Sequence, residues 1–154
     1  MTADQQRRGA SIAMSPQELD AFLAEERNCR MATVGKSGEP HVTPLWFVWD
    51  GTALWISSIV RSQRWTDIQR DSRVAAVVDA GAGYNDLRGV EISGTAAAVG
   101  EIPRTGEPVA ALHNVESLYA QKYAGGEVRH DGRHAWLRIT PTKIVSWDFR
   151  KRRA

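Results

Sequence analysis

Nowhere does this 154-residue chain hold an apolar run near the roughly 18 residues that a membrane helix needs. The opening Met1-Thr-Ala-Asp-Gln-Gln-Arg7-Arg8-Gly9 has no apolar segment behind its arginines, so neither a signal peptide nor an anchor is expected. Cysteine is scarce: Cys29 stands alone, which excludes an internal disulfide framework and suits a reducing, cytoplasmic setting. Cys29 opens an apolar run, the place of a buried inert thiol rather than a nucleophile. His41, His113, His130 and His134 show no HExxH spacing and no cysteine partner, so no metal site is expected; His130 and His134 can share an ion only if a turn brings them together. There is no GxSxG elbow, no Walker loop and no GxGxxG after a strand, and Gly81-Ala82-Gly83 is too short to count as one. The carboxylates show no recognisable pairing, and Tyr84 or Asp86 as a general acid has little support. No catalytic side chain is assigned. That pattern suits a redox protein whose cofactor carries the chemistry while the chain binds, orients and excludes water.

One charge sign does not dominate either. The formal balance is +2, but six basic residues lie in the leader and the tail. Between Met14 and Phe149 stand 14 basic and 17 acidic residues, a balance of −3. Such a body offers no broad phosphate-tracking surface, so neither nucleic acid nor membrane is an expected partner.

One domain with one core fits this length. Residues 1–13 are polar and basic and are expected to be a disordered leader, 14–149 the folded domain, and 150–154 a solvated basic tail. Ser15-Pro16-Gln17-Glu18 reads as a capping box opening a short helix whose stripe is Leu19, Phe22 and Leu23, ending near Arg27. Strands are expected over 30–34, 41–49, 53–58, 74–78 and 89–99, then over 135–139 and 143–149 around Thr140-Pro141-Thr142. Asp50-Gly51 makes a hairpin turn, and Gly89 and Gly94 suggest a bulge or sharp bend. The second strand is bulky on both faces, so one faces a barrel interior and the other a helix, a partner or a ligand. Helices are expected over 62–70, capped by Ser62, and over 108–123, with Val109, Leu112, Val115 and Tyr119 on one face and Gly125-Gly126 ending it. The short connections exclude a doubly wound parallel sheet. The expected class is mostly β: a six-stranded antiparallel split β-barrel with short peripheral helices.

The densest chemistry is Ser57-Ser58-Ile59-Val60-Arg61-Ser62-Gln63-Arg64-Trp65, a strand-to-helix junction carrying three hydroxyls and two guanidinium groups. Free amides at the helix start, the helix dipole and Arg64 can converge on one anion such as a phosphate. The same residues also read as a plainly capped helix with a solvated arginine. Trp46, Trp49, Trp55, Trp65, Trp136 and Trp147 are core candidates in the first place. Trp46 and Trp65 flank the junction, where either can wall a planar heterocycle or make a dimer contact.

A set of segments in order then resembles the pyridoxamine 5′-phosphate oxidase-like split-barrel superfamily, from about Leu19 to Phe149. They are Arg30-Met-Ala-Thr-Val34, Gly38-Glu-Pro-His-Val-Thr-Pro-Leu-Trp-Phe47, Asp50-Gly-Thr-Ala-Leu-Trp-Ile-Ser-Ser58, Ser62-Gln-Arg64, Asp71-Ser-Arg-Val74, Val90-Glu-Ile-Ser-Gly94 and Ile139-Thr-Pro-Thr-Lys-Ile-Val-Ser-Trp147. The likeness is nearest to the actinobacterial branch that uses the deazaflavin coenzyme F420 rather than FMN. It implies that Ser58, Ser62 and Arg64 hold a cofactor phosphate, with Ser57, Gln63 and Trp65 beside them and Pro44, Leu45, Trp46 and Phe47 along the ring system. It further implies a homodimer with cofactor sites at the interface and an F420H2-dependent reductase acting on a small-molecule electron acceptor such as a quinone, enone or tetrapyrrole. An FMN-dependent oxidase or reductase is the alternative on the same fold, and a non-catalytic F420, FMN or haem binder is another. Arginine stands where the family's phosphate lysine is usual. The extra C-terminal strand of the dedicated vitamin B6 oxidases, with its arginine and histidine, is missing after Phe149, so that reaction is not expected.

Overall fold

The computed structural model describes residues 6–153, the last by its backbone alone. Ser15 opens helix α1 (Pro16–Glu25) as a full capping box: its Oγ accepts the Glu18 N–H at 3.2 Å, and the Glu18 carboxylate accepts the Ser15 N–H at 2.8 Å. The helix buries Leu19, Phe22 and Leu23. Strand β1 (Asn28–Val34) turns back into β2 (Pro40–Trp46), and β3 (Val48–Trp49) leads through the Asp50 turn to β4 (Leu54–Ile59). Helix α2 (Gln63–Arg70) and β5 (Arg73–Ala80) follow, then β6 (Arg88–Val99), α3 (Ala110–Tyr123) and β7 (His134–Asp148).

All pairings are antiparallel, in the order β2-β1-β5-β6-β7-β4-β3. The two ends of this order, β2 and β3, are separated in the chain by Phe47 alone. The sheet must therefore curl until its edges nearly meet, which leaves a seam between β2 and β4. This is a split barrel of seven strands, as many as the expected runs and one more than the six of the expected class, but two boundaries fall elsewhere. The second expected strand divides at Phe47, which is fully buried while the ladder changes partner around it. The last two expected runs join into one strand. Pro141 pairs with Gly94 and Lys143 with Ser93, so Thr142 is the extra residue of a bulge, a position that tolerates proline inside a strand. Gly94 permits the approach: a Cβ there would lie 2.2 Å from the Thr140 carbonyl oxygen.

Alternation along the strands sorts the side chains into two cores. The barrel interior holds Met31, Leu54, Ile56, Val90, Ile92, Leu137 and Ile139, closed below by α1 and α2. A second core under α3 packs Leu112 and Val115 on Val48, Trp55 and Trp136, with Val109 and Tyr119 on its margin.

Order begins before the expected residue 14. Residues 1–5 of the leader lie outside the described residues, but from Gln6 the chain is tied to β7. The Gln6 amide exchanges two hydrogen bonds with the Ser146 backbone, a short 3-10 turn spans Ala10–Ile12, and Met14 enters the core. The basic tail is likewise docked as far as Arg153 in a 3-10 turn, Phe149–Arg153. Lys151 bonds the Ala13 carbonyl and Glu18, and Arg150 clasps Asp148. Charge pairing with α1 and β7 supplies what composition alone did not show; Ala154 lies outside the described residues.

Candidate functional site

The junction after β4 forms as its spacing implies. The Ser62 hydroxyl accepts the Trp65 N–H at 3.2 Å and caps α2, while Gln63 stays exposed and bonds the buried Asp67. One turn into the helix, Arg64 runs inward to the seam. Its Nε donates to Ser58 Oγ on β4 at 3.1 Å, and Nη1 donates to Thr43 Oγ1 on β2 at 3.0 Å. Arg64 is 7% exposed, and no carboxylate lies within ion-pair distance of it among the described residues. Burial holds its pKa below the ordinary arginine value. Nη2 makes no hydrogen bond within the described residues, yet no buried side-chain nitrogen there is orphaned, so Nη2 keeps contact with solvent. A guanidinium this deep is usually neutralised by a carboxylate. Here two neutral hydroxyls orient it and its charge is left for something else, which fits an anion. The nearby Cys29 is not that anion, because burial pushes its thiol up to about 12.

On the outer side of the same strands lies a cleft of about 440 Å³. Pro44, Leu45 and Trp46 of β2 and Ser57 of β4 form one wall; Tyr119 of α3, Trp136 of β7 and the connecting segment Val128–Asp131 complete it with Arg104 and His134. Its aromatic groups are interlocked. Trp46 stacks on Tyr123 at 4.5 Å and 9°, and Tyr119 meets Trp136 edge-on at 5.5 Å. Arg104 is held between Glu101 at 2.5 Å and Glu116 at 2.7 Å, which raises its pKa further above the ordinary range. Its backbone N–H bonds the His134 carbonyl, while Glu116 accepts Trp136 Nε1–H. One ion-pair network therefore fixes two walls.

Of the ten residues singled out in the sequence, Pro44, Leu45, Trp46 and Ser57 line this cleft, Ser58 and Arg64 meet at the seam, and Ser62 caps α2. Gln63 turns to Asp67. Phe47 and Trp65 do not line this cleft: both pack in the barrel core. The place of Trp65 follows from α2, where Trp65 and Ile68 share the inward face. Sequence reading missed Arg104, Asp131 and His134 as cleft residues. Only the Asp131-Gly-Arg-His134 spacing at a strand start hinted at the last two. Among the described residues no group of three or more potential metal ligands occurs, and His130 and His134 are no exception.

A family model for pyridoxamine 5′-phosphate oxidase matches residues 15–148. The chain belongs to this family. Among curated proteins, none matches the chain. Among solved structures, a conserved hypothetical protein from Mycobacterium tuberculosis is 31% identical, with a TM-score of 0.80 over 97% of this chain and 93% of that one. An F420 reductase is 22% identical, with a TM-score of 0.59 over 81% and 94%. A haem storage protein from Vibrio cholerae is 13% identical, with a TM-score of 0.66 over 84% and 93%. The last two likenesses show the fold alone. For this family member, that fold puts a buried, unneutralised arginine and an aromatic cleft on opposite faces of neighbouring residues in β2 and β4. Among the described residues no helix is long and apolar enough to cross a membrane.

Proposed function

We propose that the chain is a cytoplasmic F420H2-dependent oxidoreductase that passes hydride from the reduced deazaflavin to an organic acceptor such as a quinone, enone or tetrapyrrole. The observation that carries the reading is Arg64, buried without a carboxylate and steered by Ser58 and Thr43. In this reading Arg64 and Ser62 hold the cofactor phosphate, Ser58 keeps the guanidinium in place, and the cleft from Pro44 to Trp46 accepts the ring and the acceptor. A volume of about 440 Å³ lies within the range of small-molecule sites. The bound deazaflavin supplies the hydride; the chain binds, orients and limits water.

The reading includes a homodimer. β2 presents Val42 at 63% and Trp46 at 48% exposure, an apolar row that a second copy can cover while closing the cleft. Arginine is well suited to two phosphate oxygens at once. Losing a charge-assisted bond of that kind costs about 1.5–3 kcal/mol, or roughly a 10- to 150-fold weaker affinity. Titration of the wild type and Arg64→Ala with F420 and with FMN tests this. F420 binding by the wild type that weakens in the variant by that factor supports the assignment. Equal affinities would remove Arg64 from the site, and tight FMN with no F420 affinity would move the reading to the flavin alternative. Tight binding without turnover over a broad acceptor panel would leave a cofactor or haem binder.

A further inference from the structure

The cleft contains a paired acid and base that no part of the phosphate seat uses. Asp131 Oδ2 lies 2.6 Å from His134 Nδ1, while its Oδ1 accepts the backbone N–H of Arg133 at 2.9 Å and of His134 at 3.1 Å. Those backbone bonds, and then His134 itself, hold the Asp131 carboxyl below its ordinary value, so it is an anion. An anion can only accept, which puts a proton on Nδ1 and makes Nε2 the working nitrogen of the ring. Nε2 has no hydrogen-bond partner among the described residues. The ring is firmly mounted: His134 is the first residue of β7, pairs with Ile59, and takes the Arg104 N–H on its carbonyl. It shares the cleft with Trp46, Tyr119 and Trp136, and the other ionisable groups there are Arg104, Arg129 and His130. Arg104 is spent on Glu101 and Glu116. This leaves one imidazole that is rigidly held, oriented by a carboxylate and bordered by aromatic walls.

We infer that His134 is the proton donor to an acceptor reduced in the cleft, and that Asp131 is its positioning residue. The inference rests on the oxidoreductase reading above. For a conjugated enone, the acceptor's β-carbon takes up hydride from the reduced deazaflavin and the C=C pair shifts toward the carbonyl. The donor is the imidazolium form of His134, with hydrogen on both ring nitrogens: the carbonyl oxygen takes the Nε2 proton, which leaves the neutral Nδ1–H ring and an enol that ketonises in water. The acceptor gains two electrons, the deazaflavin loses them, and neutral His134 is reprotonated from solvent through its exposed edge. The geometry matches that of a general acid oriented by a third group.

The test uses full-length protein with cyclohexenone and menadione as probes. Without any cofactor, nitrogen-15 imidazole spectra are expected to show neutral His134 protonated on Nδ1, and Asp131→Asn to shift it to the Nε2–H form. With reduced F420, His134→Gln is expected to lower kcat by about 10²- to 10⁴-fold, a larger effect than on F420 affinity, because the phosphate seat at Arg64 is untouched. Added imidazole should restore part of the rate in His134→Gly, which separates a lost proton donor from a damaged fold. A wild type that turns over and a His134→Gln variant within about threefold of it would overturn the donor role and leave the oxidoreductase reading intact. An Nε2–H tautomer in the wild type would overturn the role of Asp131. Absence of any turnover by the wild type would remove the oxidoreductase reading and the donor role with it.

Discussion

Removing one hydroxyl, by Tyr123→Phe, should destabilise the protein far more than a surface change. Phe47 sits where the chain leaves β2 for β3, so its backbone N–H and C=O have no ladder partner on either side. Tyr123 serves both: its hydroxyl accepts the Phe47 N–H at 3.1 Å and lies 2.8 Å from the Phe47 carbonyl and from that of Arg27. Burial of this phenol pushes it up to about 12, so it remains a donor throughout the neutral range. The variant keeps the ring, and with it the stack on Trp46. What disappears is one net hydrogen bond, worth about 1 kcal/mol, together with the desolvation penalty of an abandoned buried group, about 1–3 kcal/mol. The expected loss is therefore about 2–4 kcal/mol, or roughly 2–4 °C in Tm per kcal/mol for a domain of this size. Urea titration followed by tryptophan fluorescence measures it, with the slope unchanged if only stability moves. A loss under about 0.5 kcal/mol, the size of an ordinary surface change, would mean that water replaces the hydroxyl freely and that the barrel's turning point is not held by α3.

Two pH effects follow from buried charges. Asp67 is fully buried and accepts bonds from Gln63, Thr33 and Arg70, which hold its carboxyl below the ordinary 3.8. The stability it contributes is present above that value and lost as pH falls through the lower folded one. Asp67→Asn should be less stable at neutral pH and show a shallower acid limb in circular dichroism; equal acid slopes would contradict the arrangement. Lys122 behaves in the opposite sense. Burial, then Arg27, lowers its ammonium from 10.5 to about 8, although Nζ bonds the Leu23 carbonyl and lies 3.9 Å from the Phe47 ring centroid. Between those pH values the unfolded chain binds the proton and the folded one does not, so stability should rise with pH across that window. The difference in urea midpoint between the wild type and Lys122→Met should follow it, and a constant difference from pH 8 to 10.5 would show that Lys122 keeps its proton.

Much of the architecture was already written in local pattern. Ser15 with Glu18 and Ser62 with Trp65 are contacts three residues apart, so the helix starts were readable from residue type. The hairpins and the bend at Gly94 were marked by turn residues, and the ladders follow from period-two alternation. Where strands break and join was not readable in this way. Whether Phe47 interrupts a strand and Pro141 continues one depends on which neighbours lie across the sheet, and those come from distant parts of the chain. The anchoring of residues 6–13 was hidden for the same reason, since Gln6 finds Ser146 across 140 positions.

The junction from Ser57 to Trp65 divides along the same line. By itself the sequence determined which groups stand there: a cap at Ser62, hydroxyls at Ser57 and Ser58, and a guanidinium at Arg64. It left a solvated arginine and an anion seat equally open. Tertiary closure removed the solvated arginine, because curling the sheet brings Thr43 of β2 to within reach of Arg64, 21 residues later, and buries that charge in the seam with no carboxylate beside it among the described residues. Closure also sent Trp65 into the core and set His134 with Asp131 in an aromatic cleft. Burial and the absence of a counter-ion are properties of a surrounding, and the surrounding of each of these residues is assembled from strands that only the folded barrel places together.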